Sequence, residues 1–216
     1  MNNSLQIVVD LLNVKFNDKV FCYFTSFDEL VLEVKNFNLI DICYFLRNNS
    51  YCRFDQLIDV CGVDYLFYKL DNWSDFNYGS FSRGVSSFKV DPHCKRFVVV
   101  YHLLSIENNH RIRVKVILEN NDLVVPSVID IWASSNWYER EVYDMFGIFF
   151  SGHPDLRRIL TDYGFRDYPL RKDFPLEGKV EIRYDEEKCE ILYEPVSISE
   201  RCLIPKVIRN SFVNKN

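Results

Sequence analysis

No two of the seven Cys, at 22, 43, 52, 61, 94, 189 and 202, stand in a C-x-x-C pair. An odd, scattered set argues against a disulfide framework and lacks the usual spacing for zinc or an iron–sulfur cluster. Excess base is missing too. At a net charge of −5 the chain has no basic footprint of a nucleic-acid binder. No run approaches the roughly 20 apolar residues of a membrane helix; the longest candidate, "FVVVYHLL", is far shorter. The start, "MNNSLQIVVDLLNVKFNDKV", has no basic region ahead of an apolar core. It is not Arg-rich and carries Asp10 and Asp18, so neither a secretory signal nor a transit peptide is legible. "GSFSRG" (79–84) is neither a dinucleotide fingerprint nor a P-loop, and no G-x-S-x-G occurs. The only Cys next to a His is Cys94, after His93, in a loop.

What is present is ordinary globular material. The 216 residues are 48% hydrophobic and 26% charged, enough for one cored domain with an appendage. Leu5, Val8, Val9 and Leu12 fall at helical spacing within 5–16. "KVFCYF" and "ELVLEV" predict two strands joined by a turn at "TSFD". Leu39, Ile42, Cys43 and Leu46 predict a helix over 38–49 with Asn38 as its cap. A strand follows around Leu57–Val63, interrupted by Gly62, then a polar loop over 71–92. Strands at 96–106 and 111–119 are joined at "NNH". The second alternates Ile112, Val114, Val116 and Leu118 against Arg111, Arg113 and Lys115, a half-buried strand with one basic face.

The order α–β–β–α–β–β–β, with a further helix near 136–146, predicts an α+β two-layer domain with a mixed sheet over residues 1–147. Residues 148–216 are different. Five prolines punctuate them, and "KVEIRYDEEKCEILYEP" forms a hairpin about "DEEK". Rich in aromatics but without a core of its own, this segment is expected as a long extended C-terminal tail lying on a partner.

The richest chemistry is in "NWYEREVYDMFGIFFSGHPDLRR" (136–158). Asn136 and Glu139 suggest a capping box, and Gly147 a stop. At about 100° per residue, Tyr138, Val142, Met145 and Phe146 share an inward face. Trp137, Arg140, Glu141 and Asp144 form a polar face, and Glu139 falls on the other flank. Glu139 and Glu141 therefore point apart and make no acid–base pair. Arg140 stands four residues before Asp144 and can neutralise it. The residues leave a solvated face, a catalytic carboxylate or a docking face open; Trp137 among charges favours docking. His153 has no metal-spaced partner. Arg157 and Arg158 suit carboxylates better than phosphate. Arg171, Lys172, Asp173 and Phe174, between Pro169 and Pro175, lie on stiff extended chain suited to docking.

Taken together, "NWYEREVYDMFGIFFSGHPDLRRILTDYGF", "PLRKDFPLEG" and "YEP" resemble the thirty-kilodalton subunit family of respiratory complex I, the NuoC type, subunit 9 in mitochondria. Glu139, Arg140, Glu141, Asp144, Met145, Phe146, His153, Arg157 and Ile159 match its signature in order. "DVCGVDY" (59–65) and "VYHLLS" (100–105) also fit, and the likeness covers about 54–195. "GFRDYP" departs from the family's usual Gly-Phe-Glu-Gly-His-Pro, and the 67–95 loop is longer than usual. The resemblance implies a non-redox core subunit of proton-pumping NADH:ubiquinone oxidoreductase. It would carry no catalytic residue, cofactor or metal of its own; FMN and iron–sulfur clusters belong to partner subunits. Its partners would be the NuoD-type quinone-site subunit and the NuoB- and NuoI-type chains. The bacterial or plastid counterpart, or a membrane-bound hydrogenase subunit, is the alternative. Eighteen Phe, thirteen Tyr and abundant Asn are the usage of an AT-rich gene. With no transit peptide legible, the expected location is the mitochondrial inner membrane, matrix side, or else the cytoplasmic face of a bacterial membrane.

Overall fold

The computed structural model describes residues 3–24, 29–66, 95–119 and 122–198. The predicted turn at 25–28 and most of the 67–95 loop lie outside these. The chain divides into two compact units, and the described residues up to Lys172 make the first. It opens with α1 (Asn3–Phe16), β1 (Val20–Phe24) and β2 (Leu30–Val34). Then follow α2 (Leu39–Asn48), β3 (Gln56–Asp64), β4 (Phe97–Ser105) and β5 (His110–Ile117). β6 (Val124–Pro126), α3 (Ser135–Phe146) and β7 (Phe149–Ser151) complete its regular elements. The predicted α–β–β–α–β–β–β order and the α+β class hold.

One five-stranded mixed sheet runs β1-β2-β5-β4-β3. β2 and β5 pair in parallel; the other neighbours are antiparallel. Register sorts the side chains. Leu32 lies beside Val114, which lies beside Tyr101, and all three are buried in one cluster with the apolar stripes of α1 and α2. A bulge between Leu57 and Asp59 lets Leu57 and Val60 both face this core, three residues apart. On the opposite face Arg113 pairs with Glu29, and Lys115 donates to the Tyr23 hydroxyl, which donates to Glu33. That is the basic face the alternation predicted.

Neither predicted side-chain cap forms. Asn38 precedes α2 without capping it, and α3 begins at Ser135, not at an Asn136–Glu139 box, because Glu139 is engaged elsewhere. The stop at Gly147 does form, with φ of 72° in the left-handed region that favours glycine. Two short strands carry no sequence signal. β6 and β7 pair in parallel on either side of α3 in the chain, Val125 against Phe150. Three residues each is too short to show a period.

The first unit extends to Lys172, beyond the expected boundary at 147, because the chain after α3 bonds back to it. The second unit's described residues run from 173 to 198 and contain the predicted hairpin, β8 (Val180–Asp185) with β9 (Glu190–Pro195).

Candidate subunit-docking site

Glu139 stands on the buried side of α3, at 0% exposure. One carboxylate oxygen accepts from the Val128 amide (2.8 Å), the other from the Ser127 hydroxyl (2.5 Å). The carboxylate therefore fastens the helix to the 127–132 loop. That loop is anchored in turn by Trp132, whose Nε1 donates to the Phe54 carbonyl at 3.1 Å. Burial pushes the Glu139 pKa up, against the opposing pull of Ser127 and Val128.

Asp144 is also fully buried. Its carboxylate accepts from Arg158 Nη1 at 2.7 Å, and from the amides of Ile159, Leu160 and Thr161 at 3.1, 2.8 and 2.8 Å. The Thr161 hydroxyl donates to it as well. Burial alone would raise this pKa. The Thr161 hydroxyl and amide, the Leu160 amide and Arg158 outweigh burial and hold it down at about 2. The chain over 158–161 wraps the carboxylate of the preceding helix as a nest of donors.

Arg140 does not neutralise Asp144, as the four-residue spacing suggested. Its Nε and Nη2 donate to the carbonyls of Arg157 and Arg158 at 3.0 and 3.1 Å. His153 turns back to the helix start. Its Nδ1 accepts from the Asp155 amide, so the proton sits on Nε2, 3.1 Å from the Asn136 carbonyl. Arg157 pairs with Asp155 at the surface. Both predicted carboxylate pairings of the double Arg are present.

The segment closes through stacked cations and rings. Arg171 Cζ lies 4.3 Å from the Tyr168 ring centre and 5.0 Å from that of Phe97. Arg158 covers the other neighbours, Tyr168 at 5.4 Å and Phe165 at 5.7 Å. Arg171 Nε also donates to the Phe146 carbonyl at 2.6 Å, at the end of α3. Nearby, buried Asp64 accepts two bonds from Arg96 and one from the Lys172 amide. Burial would raise Asp64 too, but Arg96 and the Lys172 amide outweigh it and depress its pKa.

A side chain at Gly147 would test this closure. A Cβ there would sit 2.6 Å from both Arg171 Nη2 and Tyr168 Cζ, on backbone already at positive φ. Gly147→Val should cost about 2 kcal/mol or more in denaturant melts and open a tryptic site after Arg171.

The expected docking face is therefore smaller than the spacing implied. Glu139 and Asp144 are withdrawn from it because they bond within the chain. Arg140, His153, Arg158 and Arg171 are likewise engaged with this chain's own backbone. Trp137, 69% exposed, Glu141, Arg157 and Lys172 remain outward. Asp173 and Phe174 open the second unit, where Lys179 Nζ lies 5.9 Å from the Phe174 ring centre. The missed members are Ser127, Thr161 and Asp64; an acid at the end of β3 was the one local signal, at Asp64. Among the described residues no three His, Cys, Asp or Glu side chains form a metal cluster, and no helix is long and apolar enough to cross a membrane.

This chain is similar to known proteins over most of its length. It is 49% identical over 210 residues to the C-subunit of the NADH-quinone oxidoreductase of Coxiella burnetii (strain Dugway), covering 94% of this chain and 92% of the relative. The protein of the same name from Legionella pneumophila (strain Paris) is 50% identical over 192 residues, 86% of this chain and 84% of its own. That from Vesicomyosocius okutanii is 53% identical over 186 residues, 85% and 90%. Among solved structures, a trypsin-resistant fragment (1-134) of Nqo5 aligns with TM-score 0.52 and 29% identity, over 71% of this chain and 99% of the fragment. A chain of an archaeal respiratory membrane complex, the membrane-bound sulfane sulfur reductase, aligns with TM-score 0.58 over 88% of this chain and 99% of its own. At 23% identity it speaks for the fold alone. Residues 32–180 match the family described as "Respiratory-chain NADH dehydrogenase, 30 Kd subunit", and this chain belongs to that family.

Proposed function

We propose that this chain is a redox-silent core subunit of a complex I-type NADH-quinone oxidoreductase, and that it holds the quinone-reducing module of the peripheral arm in place. The observation that carries this reading is the fate of the helix carboxylates. Glu139 and Asp144 are consumed in fastening α3 to its own flanking loops, while the indole of Trp137 is left in solvent. That arrangement suits a rigid docking element, since a positioned support governs a site it does not touch. The subunits it would hold are the NuoD-type chain and the NuoB- and NuoI-type chains, with FMN and iron–sulfur clusters residing in partners. The relatives named above are bacterial, so they favour the cytoplasmic face of a bacterial membrane over the mitochondrial matrix side.

The test is affinity purification of the tagged chain in mild detergent. Co-elution of NADH-quinone oxidoreductase subunits is expected, and elution as a lone small monomer would overturn the proposal. Combined Trp137→Ala and Glu141→Ala should cut the amount of complex about tenfold or more, in the range of an interface hot spot. Turnover per assembled complex should stay the same. Normal abundance with abolished quinone reduction would contradict the docking role.

A further inference from the structure

Two hydroxyls deep in the first unit, those of Tyr101 and Ser135, are sealed from solvent and bond to no protein group among the described residues. A buried hydroxyl without a partner is costly, and native proteins meet such groups with protein atoms or with ordered water. Both hydroxyls stand beside the Glu139 carboxylate. Ser135 lies one turn before it on α3. Burial raises the Glu139 pKa, and Ser135 is among the groups that pull against it, without reaching hydrogen-bond geometry. Tyr101 comes from the sheet. Ser134, just before α3, donates to the Leu57 carbonyl at 3.4 Å, and Phe146 at the far end lies against Gly62. The helix therefore runs along β3 from Leu57 to Gly62. A helix rises roughly 1.5 Å per residue and a strand roughly 3.3 Å, which brings Glu139 level with Val60. Val60 faces the core, and its cross-strand partner is Tyr101. Burial first, then Glu139 and Cys43, push the pKa of the Tyr101 hydroxyl well up, so it keeps its proton and remains a donor.

We infer that the Tyr101 hydroxyl, the Ser135 hydroxyl and the Glu139 carboxylate hold one internal water molecule, which ties β4 to α3. Bond capacity agrees. A carboxylate offers roughly four acceptor positions. The Val128 amide and the Ser127 hydroxyl fill only part of them. The water accepts from Tyr101, donates to Glu139 and shares a bond with Ser135, about the usual number for a buried water. An apolar occupant would leave both hydroxyls unmet. A metal ion would want more ligands, and no cluster of three His, Cys, Asp or Glu side chains occurs among the described residues. β4 lies between β5 and β3, so the water links an inner strand of the sheet to the same carboxylate that fastens α3 to the 127–132 loop. None of this depends on the function proposed above.

The experiment is a map of the full-length chain, free or in its assembly, at a resolution that shows ordered water. A peak within hydrogen-bond distance of Tyr101 Oη and of the Glu139 carboxylate is expected. No peak there, or a Tyr101 hydroxyl bonded directly to a protein atom, would overturn the inference. Tyr101→Phe is the paired variant. It removes one ligand of the water and should raise the unfolding equilibrium constant about tenfold, read from urea melts with unchanged slope. A hydroxyl buried dry would give the opposite sign, because its removal relieves an unmet group. A Phe variant as stable as the native chain, or more so, would therefore sink the idea. In a Glu139→Gln background the same substitution should cost about threefold or less. An equal cost in both backgrounds would mean that hydroxyl and carboxylate are not joined.

Discussion

Asp144→Ala should remove about 3–5 kcal/mol of stability, the range for stripping one partner from a buried ion pair. It leaves the Arg158 guanidinium without its carboxylate and strands the amides of Ile159, Leu160 and Thr161 together. For a unit of this size the melting midpoint should fall by about 10 °C. Asp144→Asn is the finer probe, because it keeps one carbonyl acceptor but turns an NH2 group toward those amides. The charge itself is read through pH. A folded pKa of about 2 against an ordinary value of 3.8 makes the carboxylate stabilising above pH 3.8. That contribution, about 2 kcal/mol, is lost as pH falls from 3.8 towards 2. The stability gap between the native chain and Asp144→Asn should therefore close in acid and be constant above about pH 5. A gap that widened in acid would contradict the nest.

Gly62→Val is expected to have the second large effect. Gly62 faces the core from β3, opposite Val99, and the Phe146 ring lies flat against it. A Cβ at 62 would stand 2.4 Å from Phe146 Cδ2 and 2.9 Å from Cγ, so the ring must leave. Overpacking of this kind costs about 1–3 kcal/mol, and the upper end applies because Phe146 also ends α3. Phe146→Ala alone leaves a cavity and costs about 3–5 kcal/mol. In combination the new side chain fills the space the ring vacates. The double variant should be more stable than the sum of the singles by at least about 1 kcal/mol, measured in urea melts with unchanged slope. Strict additivity would mean that the ring and the glycine do not meet.

These two sites also mark how far the sequence carries. The stripes of α1 and α2 were legible because helical period is local. Leu39, Ile42, Cys43 and Leu46 are all buried as spaced. The alternation of β5 was legible for the same reason, and so was the hairpin at 180–195. Asp144 was not. Its position on the wheel placed it with Glu141 and Trp137, but its donors come 14 to 17 residues later. Glu139 fitted a capping box by spacing, yet the Val128 amide, 11 residues earlier, wins its carboxylate. Tertiary bonds reassigned both acids, and neither partner is within reach of a local pattern. Gly62 looked only like an interruption of a strand. That it serves as the seat of an aromatic ring depends on the β3–α3 packing.

The donors around Asp144 have a consequence in time. A ribosome releases α3 before residues 158–161 exist outside the tunnel. Until they emerge, the Asp144 carboxylate stands on the polar side of the helix without the donors that enclose it. Arg171, which caps the carbonyl of Phe146, arrives later still. The helix is thus made first and seated last. Chains released early, ending before Thr161, are expected to present an unseated α3 to the quality-control machinery. Those ending after Lys172 hold the donors of 158–161 and Arg171.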